Sequence, residues 1–231
     1  MNNNLDEDQI LEKKESMKKE IEQKIQIILD KYFKGRDYDK ESVNLWKNYA
    51  LEELSDFLKN NYKEYGFGIF MIIIKMGDIR TDSNALLREE TDCYLLKSLE
   101  TQNMYVEIRI FIYKLFQPEI TFLDSFNEDL VIKMNELLIS RLEGKVFSYE
   151  FAKDKVAEIV IELQKYLLIP KLKPCSFQVC YMLNKPIDYQ FICKTINLKY
   201  IPLTASYSND SFYAQLILFI LNKIIFKINY I

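Results

Sequence analysis

From Leu5 to Phe33 the chain has neither Gly nor Pro, and Ile10, Met17, Ile21, Ile25 and Ile28 recur in steps of three, four or seven. That spacing predicts an amphipathic helix with one apolar face. Glu15 with Lys19, and Glu20 with Lys24, are expected to pair one turn apart on its solvated side. Gly35 stands where a left-handed stop is wanted, and Asp39 suits the N-cap of a second helix. That helix carries Val43, Trp46, Ala50, Leu54, Phe57 and Leu58 on one stripe and ends near Asn60-Asn61. The period then changes. Phe67–Met76 is almost continuously apolar, as a central strand is, and Gly77-Asp78 reads as a turn. Ile79–Glu89 and Asp92–Glu100 read as two further extended segments, with a turn at Thr101-Gln102-Asn103. In Met104–Leu115, Val106, Ile108, Ile110 and Ile112 point one way and Glu107 and Arg109 the other. The second face of this strand is expected to be wet or to lie at a partly polar interface.

After a connector at Phe116–Phe122 the same order returns. Leu123–Leu142 has a helical pattern, Gly144 stops it, and Ser148 can cap a second helix through Leu168. Extended segments follow at Cys175–Leu183, Asp188–Lys199, Ile201–Tyr207 and Phe212–Leu221, with a turn at Lys185-Pro186. Gly35 and Gly144, Asp39 and Ser148, and Gly77 and Pro186 are each 109 positions apart. Agreement at punctuation marks points to an internal duplication. The fold class is therefore α+β in two repeats, with a first domain at residues 1–115, a connector at 116–122 and a more divergent second domain at 123–231.

Composition narrows the chemistry. At 231 residues, 49% hydrophobic and 28% charged, the chain can build a real core. There is no histidine, which removes Ser-His-Asp and Cys-His catalysis and most zinc sites. Cys93, Cys175, Cys180 and Cys193 form no CxxC pair and read as free thiols. Asp30, Gly35 and Glu41 fit positions of a calcium loop, but Tyr32 and Lys34 stand where ligands are needed. The acidic runs Asp6-Glu7-Asp8 and Glu89-Glu90-Asp92 read as solvated surface rather than as a metal or acid–base site. No phosphate or nucleotide motif occurs, so neither an enzyme nor a cofactor is expected. A net charge of −3, with no basic stripe beside the aromatics, speaks against nucleic acid. The N-terminus lacks the basic start and apolar run of a signal peptide. The apolar stretch at Phe212–Ile228 is broken by Gln215, Asn222, Lys223 and Lys227, which suits a buried strand with an apolar tail better than a membrane span.

Val43-Asn44-Leu45-Trp46, the hairpin around Gly77, and Thr101-Gln102-Asn103-Met104-Tyr105 together resemble the Tctex-type dynein light chains. The resemblance covers about residues 21–115 and extends over 123–221 by pattern, although Lys155 stands where the first half has Trp46. It implies two helices on one face of a four-stranded antiparallel sheet, with two such units pairing by strand exchange. It also implies a non-catalytic subunit that binds an extended segment of a dynein intermediate chain at a sheet edge.

A layer of helices on one sheet face leaves a second face and an edge to be met by something else. A duplicated chain can supply its own partner. The connector of about seven residues spans roughly 24 Å when extended, and tethering sets an effective concentration of about millimolar. An intramolecular pseudo-dimer is thus expected; the other arrangement pairs each half with a separate Tctex-type light chain. A client would then add its backbone to an exposed strand edge. The second strand of each half is the candidate: Ile79, Arg80, Thr81, Asp82, Ser83, Asn84, Ala85, Leu86 and Leu87 in the first, and Tyr189, Phe191, Cys193, Thr195 and Asn197 in the second. From Lys171 onward there are seven Lys and two acids, which suits either an acidic client or attraction between the halves. The expected partners are a dynein intermediate chain or other dynein subunits, without nucleic acid or membrane. The expected location is the cytoplasm and cytoskeleton, in particular the axoneme of a cilium. The alternative is a ciliary or cytoskeletal structural adaptor of the same fold with no direct dynein contact.

Overall fold

The computed structural model describes residues 3–76, 79–86, 92–115, 124–167, 175–185, 187–197 and 202–221. The turn at Gly77-Asp78, the acidic residues Glu89 and Glu90, the connector at 116–122 and the tail beyond Leu221 lie outside them. The elements run α1 (Asn3–Tyr32), α2 (Lys40–Asn61), β1 (Tyr65–Lys75), β2 (Ile79–Leu86), β3 (Cys93–Glu100), β4 (Met104–Lys114), α3 (Asp124–Leu142), α4 (Tyr149–Leu167), β5 (Cys175–Asn184), β6 (Tyr189–Ile196), β7 (Leu203–Ser208) and β8 (Phe212–Leu221). Two helices and four strands thus occur twice, in the order the sequence predicts.

Unit 1 gathers Met1–Gly77, Leu87–Leu115 and Ile187–Lys199. Its antiparallel sheet has the order β3-β4-β1-β6. Phe67, Ile69, Met71 and Ile73 of β1 and Val106, Ile108, Ile110 and Ile112 of β4 share a face, because side chains alternate along a strand. They pack with Met17, Ile21, Ile25 and Ile28 of α1 and Val43, Leu51, Leu54 and Leu58 of α2. Glu53 of α2 clamps the helix pair by accepting from Lys24 Nζ at 2.7 Å, Lys31 Nζ at 2.6 Å and Tyr32 Oη at 2.8 Å.

Unit 2 gathers Asp78–Leu86, Phe116–Pro186 and Tyr200–Ile231, with the sheet order β2-β5-β8-β7. Its core joins Leu130, Met134 and Leu138 of α3 and Val156, Ile159 and Leu163 of α4 to Cys180, Met182, Leu216 and Leu218. Glu162, 109 positions after Glu53, accepts from Arg141 Nε at 2.8 Å and so clamps α3 to α4.

Each sheet is closed by a strand from the other half of the chain. β2 follows β1 in sequence but pairs with β5; β6 follows β5 but pairs with β1. The register Phe67↔Ile196 and Met71↔Ile192 lays Ile196 and Ile192 on the helix-facing side, where they join the core of unit 1. The two repeats complete one another within a single chain, and the compact units are not contiguous stretches of sequence.

The duplication extends to individual hydrogen bonds. Gly35 and Gly144 both have φ +70°. Asp39 accepts from Ser42 N at 2.9 Å, and Ser148 accepts from Phe151 N at 3.2 Å. Tyr38 N donates to Asn103 Oδ1 at 2.8 Å, and Phe147 N donates to Ser211 Oγ at 2.7 Å. Each bond ties the loop between two helices to the turn before the last strand of its repeat.

Of the two surroundings expected for Glu107 and Arg109, wet or at a partly polar interface, the first is excluded: they are 2% and 4% exposed and form an ion pair at 2.6 Å, with Tyr105 Oη donating to Glu107 at 2.8 Å. Desolvation on that face forces the two charges together. The pairs expected along α1 are replaced by others: Glu15 meets Lys18, Glu20 accepts from Tyr62 Oη at 2.6 Å, and Lys24 reaches Glu53. For Glu20 and Lys24, partners on a packed neighbouring element outcompete a partner one turn away, because their side chains are already ordered.

Candidate functional site

β6 and β2 are border strands, each with one neighbour in its sheet. The residues read from the sequence as partner-binding fall on these borders, in two separate units. Ile79, Arg80, Thr81, Asp82, Ser83, Asn84, Ala85 and Leu86 make up β2; Leu87 lies outside the described residues. Tyr189, Phe191, Cys193 and Thr195 lie on β6, and Asn197 follows it.

In unit 1, the register sorts β6 into two faces. Tyr189, Phe191, Cys193 and Thr195 oppose Ile74, Ile72, Phe70 and Gly68 on the side away from the helices. Tyr189 and Phe191 stack with ring centroids 6.4 Å apart. Burial pushes the Cys193 thiol up to about 12, so this thiol stays protonated and inert. Asn197 has φ +56°, a conformation that Asn tolerates better than most side chains, and its Nδ2 donates to Tyr65 O at 2.9 Å. It ties the end of β6 to the start of β1. On the helix-facing side lie Gln190, Ile192, Lys194 and Ile196, opposite Ile73, Met71, Ile69 and Phe67. Lys47 of α2 reaches this side and its Nζ donates to Gln190 Oε1 at 3.2 Å. Burial holds the Lys47 amine below the usual lysine range. The sequence reading missed this side of β6. The available signal was the position of Lys47, four residues after Val43 and seven before Leu54, on the core stripe of α2.

In unit 2, Thr81 and Ser83 lie opposite Tyr181 and Val179, away from the helices, while Asp82 lies opposite Cys180 on the helix-facing side. Asp82 accepts from Ser83 N at 2.8 Å. Burial raises the Cys180 thiol, and the charge of Asp82 adds to that. Val156 of α4 stands 109 positions after Lys47, so the matching place in this unit is apolar. Gln178 donates to Val160 O at 3.2 Å, and its buried Oε1 has no hydrogen-bond partner among the described residues.

Among the described residues there is no group of three or more Cys, Asp or Glu able to hold a metal, and no helix is long and apolar enough to cross a membrane. The arrangement offers backbone edges and flanking side chains, which is the chemistry of peptide recognition.

Each unit is a pair of helices over a four-stranded antiparallel sheet closed by an exchanged strand. Residues 15–113 match the model of the Tctex-1 family, and over this stretch the chain is similar to that family. The second repeat shares the fold, while the match is confined to the first. Tctex-1 is a family of non-catalytic dynein light chains whose members associate with dynein subunits. No curated protein matches the chain.

Proposed function

We propose that the chain is a dynein light chain that binds an extended segment of a dynein intermediate chain by strand addition and helps assemble the motor, in the axoneme of a cilium. The observation that supports this is the position of β2 and β6: each strand completes a sheet along one side and stands at its border along the other. Strand addition draws affinity from main-chain hydrogen bonds and specificity from alternate side chains. Thr81, Asp82 and Ser83 keep the β2 border polar, which restrains edge-to-edge aggregation in the free protein.

The test is retention of the full chain on an immobilised peptide from the N-terminal region of a dynein intermediate chain. Retention that is lost on placing Pro at Thr81 and at Ile192 supports strand addition. Retention unaffected by both changes, or no retention, contradicts it.

A further inference from the structure

Lys47 is 7% exposed, yet its ammonium meets one neutral acceptor, Gln190 Oε1. An ammonium has three donors and asks for a counter-charge when it is removed from water. Burial alone lowers this amine, and among the described residues no carboxylate acts on it. Asp188, just before β6, is exposed and acts instead on Tyr38, whose buried hydroxyl has no hydrogen-bond partner among the described residues. Among the described residues, the Lys47 cation thus has no carboxylate partner beneath α2, against the border strand of the unit 1 sheet.

A segment added beside β6 would run about 4.8 Å from it and would turn every second side chain to the helix-facing side, where Lys47, Gln190 and Lys194 lie. In unit 2 the equivalent of Lys47 is Val156, 2% exposed within the core. The two borders therefore differ in chemistry although their backbones repeat.

We infer that the β6 border selects an extended protein segment carrying an Asp or Glu on its helix-facing side, that Lys47 is the residue that reads this acid, and that the β2 border has no such requirement. The inference rests on the strand-addition proposal above. A client carboxylate at Lys47 satisfies a charge that no described carboxylate of the free protein meets, so binding gains selectivity without a new pocket.

The test is selection of a random twelve-residue peptide library on the full-length chain, repeated on Lys47→Met and Lys47→Gln. The expected result is a peptide family with Asp or Glu at one fixed position. Replacing that acid by its amide weakens binding about 30-fold or more. Both variants lose this family and keep any family selected by the β2 border. A thermal melt of each variant, with a Tm no lower than that of the parent chain, shows that the loss is not unfolding. Selected peptides without a fixed acid, or a fixed acid indifferent to both variants, overturn the inference and leave strand addition standing. No selected peptide at all overturns both.

Discussion

Individual residues show why two homologous units can differ in chemistry. Glu107 and Arg109 form a buried pair on β4, and the pairing of β8 with β5 puts Gln215 and Ile217 at the matching places. Removing one partner of a buried pair strands the other, whereas replacing both with well-packed neutral groups is close to neutral. Glu107→Gln alone is expected to cost about 3 kcal/mol or more. The double change Glu107→Gln with Arg109→Ile should recover most of that loss, as read by urea denaturation. Gly35 and Gly144 occupy the left-handed region with nothing within 4 Å of an added Cβ, so strain rather than crowding governs substitution there. Alanine at either position should cost about 1 kcal/mol, equally in both repeats. At this scale the sequence was partly legible. The glycines and the caps Asp39 and Ser148 were readable because backbone stereochemistry restricts those places to few residue types. Lys47 and the Glu107–Arg109 pair were not, because a charged residue reads as solvent-facing until its surroundings are known.

At the scale of elements, the helix pair of unit 1 is held by more than apolar burial. Hydrogen bonds from Lys24 and Lys31 hold the Glu53 carboxyl down at about 2, against an ordinary value of 4.5. A depressed carboxylate contributes fully above its unfolded value, and the contribution is lost as pH falls through the folded one. The Glu53 clamp should therefore be intact at neutral pH and fade between about 4.5 and 2. Glu53→Gln should destabilise the chain by about 1 kcal/mol at pH 7, with the difference vanishing near pH 2 in parallel denaturation curves. Helices and strands were legible because the hydrophobic period switches at Gly, Pro and Asn. The partner of β2 was not. Its polar run Arg80–Asn84 alternates acceptably against either β1 or β5, since the duplication makes those two strands near-equivalent templates. Periodicity fixes which face a strand presents; it does not choose between two copies of the same neighbour. The family resemblance supplied exchange in general, and the register of β6 on β1 supplies it for this chain.

For the whole molecule, reciprocal exchange makes each half depend on the other. A chain cut to residues 1–115 retains β2 but lacks the β6 that closes its sheet. Such a fragment should either fail to fold or dimerise by exchanging β2 between copies. Co-expression with residues 123–231 should restore a 1:1 complex, as measured by light scattering. The intact chain should scatter as a monomer of 27.6 kDa at micromolar concentration, since tethering favours the internal partner. A mass of twice that value would show that the exchange runs between chains.

Hydrogen–deuterium exchange of the full chain, with and without a peptide from the N-terminal region of a dynein intermediate chain, tests the central claim most directly. Slowed exchange concentrated in β2 or β6, with β3 and β7 unchanged, is the predicted result. Protection confined to β3, β7 or the outer helix faces, with β2 and β6 unaffected, would contradict it.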